Sequence, residues 1–105
     1  MIEQKLEVQP ELLFVALVGE ELVGALMAGF DGTRAWLYHL AVSPEWRRQG
    51  IARALVRAAE QRVHALGARK VNLQVRATNS EVIALYRSLG YAIEERVSMG
   101  RRLDG

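Results

Sequence analysis

Leu40-Ala41-Val42-Ser43-Pro44-Glu45-Trp46-Arg47-Arg48-Gln49-Gly50-Ile51-Ala52-Arg53 is the stretch on which the fold turns. An apolar, β-favouring run ends at Ser43-Pro44. A polar loop with two arginines follows, and from Ile51 the apolar period changes from two to 3.6 residues. Ile51, Leu55, Ala58, Ala59, Val63 and Leu66 form one stripe, with Arg53, Arg57, Glu60 and Arg62 between them and Gly67 as the stop. A strand, a basic loop and a glycine-opened helix in that order make an anion site. The first backbone N–H groups of a helix lack partners, and the helix dipole puts positive charge there. Gly50 permits close approach of the backbone, Ala52 adds no bulk, and Arg47, Arg48 and Arg53 supply charge. The loop has neither the Lys-Ser/Thr pair of a Walker loop nor the glycine spacing of a dinucleotide fingerprint. On these residues alone, a phosphate cradle and a plain helix start with solvated arginines both stand.

Upstream, Leu12–Val18 and Leu22–Phe30 are apolar runs split by Gly19-Glu20-Glu21, the pattern of a β-hairpin. Asp31-Gly32 is a second turn, and Ala35–Val42 then reads as a third strand. Gly24 and Gly29, inside strands, signal bulges or close backbone approach. Downstream, Lys70–Val75 alternates and reads as a strand. Asn79 or Ser80 caps a second helix with Val82, Ile83, Leu85, Tyr86 and Leu89 on its apolar face, and Gly90 ends it. Tyr91-Ala92-Ile93 starts a fifth strand, which Val97-Ser98-Met99 continues or pairs with. The expected order is β-β-β-α-β-α-β in a single α/β domain over residues 1–105, with both helices in the C-terminal part.

Composition narrows the function. The 105 residues are 50% apolar and 25% charged, an ordinary globular balance. No apolar run is long enough to span a membrane, and no signal peptide opens the chain, so a cytoplasmic protein without a membrane partner is expected. Zero cysteines exclude disulfides and thiolate chemistry, and His39 and His64, far apart in sequence, make no metal site. The net charge of +2 is unevenly spread. Lys5 and Arg34 against Glu3, Glu7, Glu11, Glu20, Glu21 and Asp31 leave residues 1–43 at −4, and the remainder at +6. Twelve of the fourteen cations are Arg, the side chain suited to forked phosphate contacts. The aromatic residues sit in apolar patterns instead of alternating with Arg, which argues against a nucleic-acid partner.

Arg47-Arg48-Gln49-Gly50-Ile51-Ala52 resembles the Arg/Gln-x-x-Gly-x-Gly/Ala signature of the GNAT superfamily of acyl-CoA-dependent N-acetyltransferases. The resemblance extends through Leu40-Ala41-Val42-Ser43-Pro44, Leu73-Gln74-Val75-Arg76-Ala77-Thr78-Asn79 and Ala84-Leu85-Tyr86-Arg87-Ser88-Leu89-Gly90-Tyr91, four motifs in the family's order over residues 12 to 103. It implies a mostly antiparallel mixed sheet with a splayed central strand pair. It implies acetyl-CoA as co-substrate, an amine acceptor and no metal. Backbone groups of Leu40, Ala41 and Val42 would pair with the pantetheine amides. The stretch Arg47, Arg48, Gln49, Gly50, Ile51, Ala52 and Arg53 would hold the pyrophosphate. Asn79 matches an asparagine that contacts the carrier near its reactive end, or simply caps its helix. Tyr86 matches the family's tyrosine general acid, which protonates the leaving thiolate, or is a core residue with its hydroxyl at the rim.

The chain departs from the family pattern in two places. Some relatives use a carboxylate base where Trp36 stands here and others a Glu where Gln74 stands, and neither residue here is a base. His39 is a further candidate base by residue type, but on an apolar strand it reads first as a packed core histidine. The second departure is at the N-terminus. Most of the family's opening strand and two helices is missing, and residues 1–11 read as the tail of the second helix. A homodimer that supplies the absent wall is therefore expected. A non-catalytic acyl-CoA-binding domain is the alternative to an acetyltransferase.

Overall fold

Leu12, Phe14 and Ala16 alternate along one strand and lie directly opposite Ala28, Leu26 and Gly24 on the next, so the second and third strands present one continuous apolar face. All six positions are buried. The computed structural model describes residues 2–8 and 11–104, with residues 2–8 and 11 described by backbone alone. The elements are β1 (Ile2–Val8), β2 (Glu11–Val18), β3 (Glu21–Phe30), β4 (Arg34–Val42), a 3-10 turn (Pro44–Trp46), α1 (Ile51–Ala65), β5 (Lys70–Leu73) and α2 (Ser80–Ser88). They fall in two compact units, Met1–Gln74 and Val75–Gly105.

The first unit is a five-stranded sheet in the order β1-β2-β3-β4-β5. The first four strands are antiparallel, and β5 runs parallel to β4 after the α1 crossover. Helix α1 lies on the apolar face, with Ile51, Leu55, Val56, Ala59 and Val63 buried. Its C-terminus closes with Ala68 N donating to the Val63 carbonyl and Gly67 N to that of His64, and Gly67 takes φ +111°. Asp31 Oδ1 accepts from the backbone N of Thr33 and Arg34 at 3.0 and 2.9 Å, which ties the β3–β4 turn. Those two bonds hold its carboxyl below the usual range.

In the second unit, Asn79 caps α2. Gly90 ends the helix at φ +100°, with Tyr91 N donating to the Tyr86 carbonyl and Gly90 N to that of Arg87.

The α/β class and the mixed, mostly antiparallel sheet are as expected, but the element order is corrected at both ends. Residues 2–8 are strand β1, paired antiparallel with β2, and not the tail of a helix. Ile2, Leu6 and Val8 all fall at even positions, which is strand spacing, and the free edge of β2 offers the ladder. Met1, Gln9, Pro10 and Gly105 lie outside the described residues. At the other end, Tyr91-Ala92-Ile93 and Val97-Ser98-Met99 form no strand. Alternation supplies only the propensity for a strand, and a local pattern cannot supply the partner ladder.

Candidate active site

Strand β4 places the first part of the site, through an irregularity the sequence does not announce. Ala25 pairs with Ala41, but Met27 pairs with Tyr38, so β4 carries one extra residue opposite Leu26. This is a β-bulge at His39–Leu40, and His39 takes φ +60°. Histidine is among the few non-glycine residues enriched in that conformation. His39 is exposed, with its ring 6.0 Å from that of Tyr38, which corrects the expectation of a packed core histidine.

The parallel ladder with β5 stops just before the bulge, at Leu37 opposite Leu73. Strand β4 runs on to Val42, held on its other side by β3 through Ala25–Ala41, Gly24–Val42 and the bond from Ser43 N to Val23 O. From Tyr38 to Val42, no strand among the described residues takes up the β5-facing edge. Leu40, Ala41 and Val42 thus lie along an open row of backbone donors and acceptors.

The chain then turns into α1. Arg47 Nε donates to the Val42 carbonyl at 3.2 Å and staples the loop to the strand end. Arg48 takes φ +63° and Gly50 φ +83°, two left-handed residues that swing the chain into the helix. Gly50 is the N-cap, and no side chain caps the first turn, so the amides of Ile51, Ala52 and Arg53 begin the helix without one. A Cβ at Gly50 would meet nothing within 4 Å. Gln49, Arg48 and Arg53 are exposed beside this opening, while Ile51 is buried and anchors the first turn.

Gly24 explains why the helix starts where it does. A Cβ there would lie 3.0 Å from Ile51 Cγ2, 3.2 Å from Leu55 Cδ1 and 3.3 Å from the Ala41 carbonyl. The missing side chain lets the first turn of α1 sit on β3 beside the end of β4. Gly29 serves Tyr38 similarly, since an added Cβ would collide with the tyrosine hydroxyl. Backbone approaches at Gly24, through the Ala41 carbonyl, whereas at Gly29 the neighbour is a side chain instead of the backbone expected there.

Asn79 and Tyr86 belong to the second unit. Asn79 Oδ1 accepts from Val82 N at 3.2 Å, so its carbonyl oxygen is the helix cap. Tyr86 lies about two turns further on, buried, with its ring edge-on to Tyr91 at 5.4 Å. Burial pushes its phenol up to about 12. Trp36 is half-buried on β4 and Gln74 is exposed just past β5. No group of three or more metal-binding side chains occurs among the described residues.

Comparison with known proteins identifies the family. The family model described as Acetyltransferase (GNAT) family matches residues 1–91. An acetyltransferase of Sodalis glossinidius is 44% identical over 103 residues, covering 97% of this chain and 72% of that protein. One from Pectobacterium atrosepticum is 42% identical over 102 residues with the same coverage. Among solved structures, an aminoglycoside acetyltransferase from an uncultured soil metagenomic sample, crystallised with trehalose, superposes with a TM-score of 0.81. It is 29% identical, and the match covers 90% of this chain and 66% of that one. The chain therefore belongs to the GNAT acetyltransferase family. By class it is a GNAT-type N-acetyltransferase that spans about two thirds to three quarters of the length of these relatives.

Proposed function

We propose that the chain moves an acetyl group from acetyl-CoA to a primary amine by direct attack, with no metal. The single observation that carries the reading is a contiguous binding track. An open edge of β4 from Tyr38 to Val42 leads through a left-handed turn into the uncapped first turn of α1, flanked by Arg48 and Arg53. Edge amides and carbonyls suit the pantetheine amides, and a helix start with two guanidinium groups suits a pyrophosphate. Arg47 contributes by fixing the loop, and its Nε–H serves Val42.

In this proposal the Tyr86 hydroxyl meets the departing thiolate. With its pKa near 12 it is neutral at physiological pH and always able to donate. An alkyl thiol near 8.5 is the stronger acid, so full proton transfer from Tyr86 is uphill by about 5 kcal/mol if the thiolate keeps its solution basicity. A thiolate formed away from water is itself made more basic, which narrows the gap. Tyr86 then acts first as a hydrogen-bond donor to developing charge and completes the transfer as the sulfur departs. The acceptor amine enters neutral or loses its proton to water, because Trp36 and Gln74 are not bases. The active form is a homodimer.

The test is thiol release from acetyl-CoA with a panel of amines: an aminoglycoside, a peptide N-terminus and free lysine. Turnover is expected with at least one, and Tyr86→Phe should lower kcat about 100-fold or more with the carrier Kd unchanged. Equal rates for the two proteins would remove Tyr86 from the mechanism. Gly50→Glu puts a carboxylate in the cradle on a left-handed residue and should abolish carrier binding. Trp36 and Gln74 at the positions where some relatives hold a carboxylate favour a second reading, a domain that binds acyl-CoA without turnover. Tight binding with no acceptor consumed would select it.

A further inference from the structure

Consecutive strand residues point to opposite faces of a sheet. Leu37 pairs with Ala28 on the side that α1 covers, so Tyr38, paired with Met27, belongs to the other side. Regular alternation would return His39 to the α1 side. The bulge and the left-handed backbone at φ +60° break that alternation and re-aim the side chain. Its imidazole lies 6.0 Å from the Tyr38 ring, tilted by 54°. Rings on neighbouring residues of a regular strand point apart, so this proximity sets His39 beside Tyr38 on the face away from α1. The phenol is itself laid along the sheet, because its hydroxyl fills the space that a Cβ on Gly29 would need.

The direction of the binding track brings the reacting end of the carrier to the same place. With the pyrophosphate at the start of α1 and the pantetheine along Leu40–Val42, the thioester comes last, toward the bulge. His39 is three residues, roughly 10 Å of strand, from Val42. The β4–β5 ladder has just ended there, at Leu37 opposite Leu73. Trp36 and Gln74 offer no basic atom, whereas an imidazole does, and histidine is the commonest general base. Across from the bulge, Leu22–Phe30 of β3 carries no charged or titratable side chain. The titratable group against the imidazole is the Tyr38 phenol, and Arg47 is held at the Val42 carbonyl. All these groups belong to the first unit.

We infer that His39 receives, through one water, the proton that an ammonium acceptor must lose. The inference rests on the acetyl-transfer reading above and names where the proton given to water ends. The imidazole lone pair takes up one proton and R–NH3+ becomes a neutral amine. The nitrogen lone pair forms the C–N bond at the thioester carbonyl carbon, and the C–S bond breaks with its electron pair on sulfur. The nitrogen sheds a second proton as the amide forms, which balances the proton gained by the thiol. His39 returns the first proton to solvent.

The experiment measures kcat/KM against pH, from about pH 7 upward, for wild type and His39→Asn with whichever panel amine is consumed. Asparagine tolerates a left-handed backbone and is no base. His39→Gly, free of strain at that φ, is the second variant. Both should bind CoA with the wild-type Kd. Without the base only the neutral fraction of the amine reacts. At about pH 7 the deficit should be about tenfold for a peptide N-terminus, whose pKa is about 8. For a lysine side chain, with a pKa of about 10.4, it should be about 100-fold or more. In either case the deficit should shrink about tenfold per pH unit and close at the pKa of the amine. A deficit of constant size across pH, or none at about pH 7, would overturn the role of His39 alone. No turnover of any amine by the wild type would overturn the acetyl-transfer reading and this inference together.

Discussion

Tyr86 is buried while its phenol keeps its proton to about pH 12, so its contribution to stability has a definite pH dependence. The folded-state pKa lies above the unfolded value of 10, and the contribution is therefore complete below pH 10. Between pH 10 and 12 the unfolded chain ionises Tyr86 while the folded chain does not, and stability falls. The loss approaches about 3 kcal/mol by about pH 12. Denaturant titrations of wild type and Tyr86→Phe at about pH 8 and about pH 11.5 should therefore show the wild type losing stability relative to the variant at the higher pH, because phenylalanine has no proton to lose. A parallel decline in both proteins would mean that the hydroxyl is solvated in the folded state. At this scale the sequence located Tyr86 on the apolar face of α2. It misread His39, whose left-handed backbone on a bulge is a property of the β3–β4 register and has no counterpart in the hydropathy pattern.

At the scale of elements, α2 poses its question at one residue, since Asn79 caps the helix and the family resemblance also matches it to an asparagine that contacts the carrier. The two roles separate chemically. Asn79→Ala removes the acceptor for Val82 N and should cost about 1 kcal/mol, a lower Tm by thermal unfolding. Asn79→Ser keeps a capping acceptor, adds no charge and removes the amide donor. Weaker CoA binding in Asn79→Ser at nearly unchanged Tm would assign the amide to the carrier, and unchanged binding would leave Asn79 as a cap alone. Helix α1, β2, β3 and β4 were legible because each buries one face and so shows its period. The terminal elements were not. Residues 2–8 form a strand because β2 offers an edge, and residues 91–104, which also alternate in part, form none. Both outcomes depend on a partner that local pattern cannot specify.

For the whole molecule, charge is the relevant quantity. Residues 44–105, which include the cradle and all twelve arginines but Arg34, carry +6 against −4 for residues 1–43. An anionic carrier is drawn to the basic part, and salt screens the attraction over a Debye length of about 8 Å at physiological ionic strength. Calorimetry with CoA should show the Kd rising several-fold between low and high salt, with Arg48→Ala flattening that dependence. Salt-independent binding would place the affinity in the pantetheine contacts along β4. The sequence by itself determined the class, the helix start at Gly50, the turns and the family, because caps, periods and charged loops are written in neighbouring residues. The tertiary structure alone decided the bulge at His39, the end of the β4–β5 ladder at Leu37, the seat of α1 on Gly24 and the fate of both chain ends. Each of these depends on backbone pairing or close packing between residues far apart in the chain, which no local signal encodes.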